Sequence, residues 1–233
     1  MTWESRCLFG VQLPFDISEG SVERQIEDLF CVMDSYGIER AHVMGSCGGA
    51  TIALAAAALR PERIPSLGLW HGAFELGSDA AKTEHERNLG ALLKMAAQDR
   101  ASAAAVRSLL CQRSATSVPA DVAQLVLYPF AHDELMYRYA VMNGGLLAKD
   151  VRPLLPSVLQ PTLVVTSQSD MTTHPEESYR VAERLPRARL HVEPDGDHLS
   201  HFRADTGATE LAASFLRSLS EPSKYSGASN DER

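Results

Sequence analysis

The residues with the clearest chemical potential lie in Ala41-His42-Val43-Met44-Gly45-Ser46-Cys47-Gly48-Gly49-Ala50. A short apolar run ends in glycine, serine, cysteine and two further glycines, and an alanine-rich helical pattern begins at once. Glycines two before and two after a nucleophile let a chain turn sharply from strand into helix, holding the middle side chain out in a strained conformation. With Ser46 at the tip, the position two before it is Met44, too bulky for the turn. With Cys47 at the tip, the flanking positions are Gly45 and Gly49, so the frame selects Cys47. Helix N-terminal N–H groups, Gly48 first, favour a thiolate there and help hold a developing oxyanion. The plain alternative is a buried, inert cysteine in a glycine turn.

Such a turn needs a strand ahead of it and a helix behind it. Ala41 to Met44 reads as a short buried strand, and Gly48 to Leu59 as an almost wholly apolar, buried helix. Upstream, Val22, Ile26, Leu29, Phe30, Met33 and Tyr36 recur at three and four, which predicts an amphipathic helix stopped by Gly37, with Ser18 or Ser21 as N-cap. Ile64 to Trp70 reads as the next parallel strand. From 74 to 150 strand-like runs vanish, and helices are expected at 83–98, 100–113, 120–131 and 132–147. A short helix at 151–159 then precedes strands at 162–166 and 189–193, with helices at 175–185 and 206–219. The remaining residues, 220–233, are polar and read as a disordered tail.

Bulk composition narrows the function classes. The 233 residues are 45% hydrophobic and 22% charged, as in a globular protein able to bury a full core. The net charge of −8 gives no basic face for nucleic acid, and no apolar run is long enough to span a bilayer. Cys7, Cys31, Cys47 and Cys111 show no paired spacing, and Met1 to Arg6 has no signal-peptide pattern, so a cytoplasmic chain with reduced thiols is expected. The histidines show no HxH or HExxH spacing; neither a metal nor another cofactor is expected.

The helix–strand–turn–helix–strand succession from Gly37 to Trp70, with its Gly-x-Cys-x-Gly turn and Arg-Pro-Glu-Arg connection, resembles the α/β-hydrolase superfamily in a version with a cysteine nucleophile. The resemblance implies a mainly parallel sheet flanked by helices, with a core of 1–73 and 151–219 and a helical cap over 74–150. It also implies a triad in the order nucleophile, acid, histidine: Cys47, then Asp170 just past the strand at 162–166, then His198 just past the strand at 189–193. His201 and Asp197 are the rivals for the last two roles. His71, His174, His132, Tyr137 and Tyr139 read as capping, loop or packing residues that stand near the site at most.

In the superfamily, a second oxyanion donor comes from a loop well upstream of the elbow. Here Thr2 to Phe9 already resembles the segment after the family's fourth strand, so the first strands and that loop are expected to be missing or reduced. A truncated or misassigned start, strands supplied by another polypeptide, or a sheet completed by self-association would each account for this. A thiol nucleophile with a histidine base suits attack on an ester, thioester or lactone carbonyl of a small-molecule acyl substrate, through an acyl-cysteine. It does not suit haloalkane or epoxide opening. Dienelactone hydrolases share the elbow but generally lack a long cap. The expected activity is therefore a capped, thioesterase-like acyl hydrolase, for which the resemblance alone implies a setting in secondary metabolism, with acyltransferase or cyclase chemistry at the same cysteine, or a non-hydrolytic accessory role, as the alternatives.

Overall fold

The computed structural model describes residues 1–8, 12–114, 122–203 and 207–220. The sheet is built from β1 (Val43–Ser46), β2 (Leu67–Trp70), β3 (Thr162–Ser167) and β4 (Ala188–Glu193), in the order β1-β2-β3-β4 and parallel throughout. Parallel neighbours need crossovers, and helices supply them: α2 (Gly48–Leu59) between β1 and β2, and α7 (Pro175–Arg184) between β3 and β4. Alternation along the strands then sorts the core into two faces. Leu67, Leu69 and Val164 pack with α2, α7 and α1 (Val22–Ser35), while Trp70, Leu163 and Val165 pack under α8 (Ala208–Ser220).

α2 is buried on nearly every side, and its alanines let it lie close to the sheet while favouring the helix intrinsically. β1 differs from the buried strand expected. Val43 is half-buried and Met44 is 53% exposed, because β1 forms the edge of the sheet and has no second strand beside it among the described residues. The helix expected at 151–159 is reduced to a single turn at Leu155–Ser157. Pro153 and Pro156 each remove a backbone donor there.

Between β2 and β3 run α3 (Glu84–Ala96), α4 (Arg100–Ser114), α5 (Ala123–Leu127) and α6 (Asp133–Leu147). Thr83 and Glu86 form a capping box at the start of α3, and the His132 side chain accepts from the Glu134 N–H at the start of α6. These helices carry their own apolar cluster, with Leu93 and Ala96 meeting Val106, Met136, Tyr137 and Val141. α6 docks closely on the turn at Ile17–Gly20: a Cβ at Gly145 would stand 2.7 Å from the Gly20 carbonyl oxygen. The tail expected to be disordered lies, beyond Ser220, outside the described residues.

Glu177 of α7 joins the helical block to the sheet layer. It is fully buried, accepts from the Phe74 N–H at 2.9 Å, and pairs with Lys82 ahead of α3. Burial drives its carboxyl upward against the pull of Lys82. Lys82→Met should leave a buried carboxylate without its cation, costing roughly 2–3 kcal/mol because the lysine is itself partly exposed. The sign with pH follows from the raised native carboxyl: the variant keeps most stability below the ordinary glutamate range and loses it as pH rises. Urea denaturation of both proteins at pH 5 and pH 8 checks this, with the larger deficit expected at pH 8.

Candidate active site

Cys47 sits between β1 and α2 with φ 52° and ψ −125°, a left-handed conformation that non-glycine residues rarely adopt. Its N–H donates to the Trp70 carbonyl at 3.0 Å, and its own carbonyl accepts from Ala50 and Ala73, each at 3.1 Å. These bonds hold the strained residue on both sides. A Cβ at Gly45 would lie 2.2 Å from the Gly49 carbonyl oxygen, so the approach of strand to helix demands glycine at 45. At Gly49 itself an added Cβ would meet nothing within 4 Å, so the steric demand falls on one of the two glycines. Gly48 opens α2, where N–H groups have no helical partner and point outward. Ser46, the rejected tip, ends β1 and bonds His201 Nε2 at 2.7 Å.

Asp170 and His198 come from the loops after β3 and β4, at the carboxyl ends of parallel strands. The structure brings them together: His198 Nδ1 lies 2.9 Å from Asp170 Oδ2, with His198 on the Cys47 side. Burial alone would push the His198 imidazole down. Hydrogen bonds to Asp170 and Cys47, with the charges of both, outweigh it and lift His198 to about 10. Burial likewise opposes the Asp170 carboxylate, but bonds from His198 and His71 hold it well below the ordinary range. An imidazolium held by an ionised carboxylate is the state these two shifts describe.

The rivals have other work. Asp197 accepts from the Leu199 N–H and pairs with Arg203. Burial, then the neighbouring His71 and His198, depress His201 to about 4, so it is a neutral ring at Ser46. His174 caps α7 by accepting from the Glu176 N–H. Tyr137 packs edge-on against Phe15.

Two cavities meet at Cys47 and Gly48. One, of about 320 Å³, extends toward Trp3, Gln25 and Met142. The other, of about 290 Å³, extends toward Phe74, Leu93 and Leu147 and passes Thr173, which neighbours His198. Tyr139, Asn143 and Leu146 of α6 line both. Burial, followed by the charge on Cys47, pushes the Tyr139 hydroxyl up to about 12, so it faces the site as a neutral phenol with a proton to donate.

His71, expected as a capping or core histidine, is a core residue that also bonds Asp170. It follows β2 directly with φ 45°, is completely buried, and places Nδ1 3.2 Å from Asp170 Oδ2. Its position at the carboxyl end of a parallel strand, level with the elbow, was the available signal. His71, Asp170 and His198 offer ligand atoms within 4.8 Å of one another. Both Nδ1 atoms are spent on Asp170, however, whose Oδ1 already accepts from the Thr172 and Thr173 N–H groups. The cluster is an internal hydrogen-bond network rather than an open metal site.

Comparison with known proteins bears on the architecture. A family model described as "TAP-like protein" matches residues 147–228. The "Putative carbamate hydrolase RutD" of Stutzerimonas stutzeri is 27% identical over 188 residues, 77% of this chain and 67% of that protein. The L-allo-isoleucyltransferase of Pseudomonas savastanoi pv. glycinea is 26% identical over 157 residues, 67% of this chain and 55% of that protein. The crystal structure of the enol-lactonase from Burkholderia xenovorans LB400 superposes with a TM-score of 0.63 at 24% identity, covering 84% of this chain and 73% of that one. Parallel sheet, crossover helices and these likenesses agree: the chain has the α/β-hydrolase fold.

Proposed function

We propose that this chain substitutes carbonyl compounds through a covalent acyl-Cys47 intermediate, drawing acyl groups from esters, thioesters or lactones. The observation that carries the reading is His198, held by Asp170 at 2.9 Å at the strand ends, beside the strained Cys47 at the start of α2. The thiol proton already rests on His198, and Asp170 stabilises that imidazolium and fixes the ring. The sulfur attacks the carbonyl carbon, a C–S bond forms, and the electron pair moves onto the oxygen. Collapse expels the leaving group, which takes the proton from His198. Water or a second nucleophile then gives a proton to His198, attacks the acyl carbon and releases the thiolate.

The Gly48 N–H supplies one oxyanion donor, and we assign the second to the neutral hydroxyl of Tyr139, which lines both cavities beside Cys47. This assigns the helices over 74–150 a catalytic share beyond covering the site. Apolar linings in both cavities suit a small acyl group and an acceptor or leaving group on opposite sides of Cys47. Because an acyl-cysteine is itself a thioester, transfer to a bound nucleophile competes with hydrolysis, and two cavities meeting at one thiol favour transfer. The names of two relatives, one for a carbamate hydrolase and one for an isoleucyltransferase, both describe substitution at a carbonyl.

Intact-protein mass spectrometry after incubation with p-nitrophenyl acyl esters and acyl thioesters should show one acyl adduct, lost in Cys47→Ala. An adduct that survives that substitution, or none in the parent chain, sinks the reading for those substrates. Tyr139→Phe should slow adduct formation roughly 100-fold if the phenol supplies a donor, and leave it unchanged if not. The raised His198 imidazole also makes a stability prediction. Proton binding up to about pH 10 in the folded chain, against 6.5 for the free group, contributes stability that is full below pH 6.5 and is lost as pH rises through 10. The stability gap between the parent and His198→Gln should therefore narrow between pH 6 and pH 10 in urea denaturation.

A further inference from the structure

Asp170 Oδ2 is shared. It accepts from His198 Nδ1 at 2.9 Å, Thr173 Oγ1 at 3.0 Å and His71 Nδ1 at 3.2 Å. An ionised carboxylate only accepts, so the proton in the His71 contact belongs to the ring, and His71 is protonated at Nδ1. The other face of the ring raises a problem of its own. His71 Nε2 lies 3.6 Å from Glu193 Oε2, at the end of β4, and both atoms are buried without a hydrogen-bond partner among the described residues. With an unprotonated Nε2 and an ionised Glu193, two lone pairs would face each other in a dry interior, which is costly. One proton between them removes the conflict.

We propose that His71 is a positioning residue for Asp170, donating through Nδ1 and sharing one buried proton with Glu193 at Nε2. The inference rests on the reading of Cys47, His198 and Asp170 as a triad. His71 and His198 then compete for one carboxylate oxygen, with ring centroids 5.8 Å apart and edge to face. Competition weakens the hold of Asp170 on the His198 imidazolium, and so eases proton release from His198 to the leaving group. The groups facing His71 are Asp170 from the loop after β3, Glu193 from β4, and His198 and His201 from the loop after β4, with His201 stacked on it at 5.3 Å. The left-handed φ of 45° at His71 is the backbone setting that carries this ring to the carboxylate.

Three variants separate positioning from mere packing. His71→Leu removes both contacts, His71→Gln keeps a donor for Asp170, and Glu193→Gln offers an amide N–H to Nε2. The reaction of Cys47 with iodoacetamide and the ring-nitrogen NMR signals of 15N-histidine-labelled protein need no substrate, so they test the inference even if acyl transfer fails. In Glu193→Gln, the His71 signals should shift to a neutral ring protonated only at Nδ1, with Nε2 accepting. In His71→Leu, the His198 titration should move to higher pH, and kcat with p-nitrophenyl acetate should fall roughly tenfold with little change in KM. His71→Gln should recover most of that loss. Unchanged His71 signals in Glu193→Gln, or an unmoved His198 titration in His71→Leu, would overturn the proposal; if His71→Leu does not fold, the His71 signals in Glu193→Gln decide.

Discussion

The contact on which the structure depends most is the approach of Gly45 to the backbone of Gly49. It lets β1 end and α2 begin within one residue, which throws Cys47 into a left-handed conformation and sets its side chain at the helix N-terminus. The three backbone bonds around Cys47, to Trp70, Ala50 and Ala73, tie that conformation to β2 and to the chain beyond it. A strain of order 1–3 kcal/mol at such a residue persists only where its surroundings over-determine it, and here they do. The alanine-rich α2 serves the same end, since bulkier side chains would hold the helix away from the sheet and misplace the thiol.

Asp170 is the second point of convergence. Two backbone N–H groups orient one oxygen, while two histidines and Thr173 crowd the other. So many donors explain why a buried carboxylate remains ionised despite the cost of desolvation. They also make the loops after β2, β3 and β4 a single electrostatic unit, in which a change to one ring alters the proton affinity of its neighbour.

How much of this was legible in sequence depends on the range of the interaction. Periodicity placed α1, α2, α3 and α6 nearly to the residue, because helical spacing and a cap such as Ser21 act locally. Local signals failed at 151–159, where apolar content suggested a helix and the prolines decided otherwise. The buried character assigned to β1 failed for a different reason, since Met44 shows no sign in its own neighbourhood that the strand will be an edge. At the site, the glycine spacing pointed to Cys47, and the triad order implied by the family resemblance, with the strand-end positions, pointed to Asp170 and His198. The contacts of His71 with Asp170 and Glu193 join residues about a hundred positions apart, and nothing near His71 in the sequence announces them.

The edge position of β1 has a kinetic consequence. The Val43 and Cys47 N–H groups bond inward to Ser66 and Trp70, so by the alternation of a parallel ladder those of Met44 and Ser46 point away from β2. Among the described residues, the strand that leads to Cys47 is therefore clamped along one flank, while β2 and β3 are clamped along two. Backbone amides of β1 should exchange with deuterium through local fraying, well before those of β3 open, and each such excursion withdraws the thiol from its histidine.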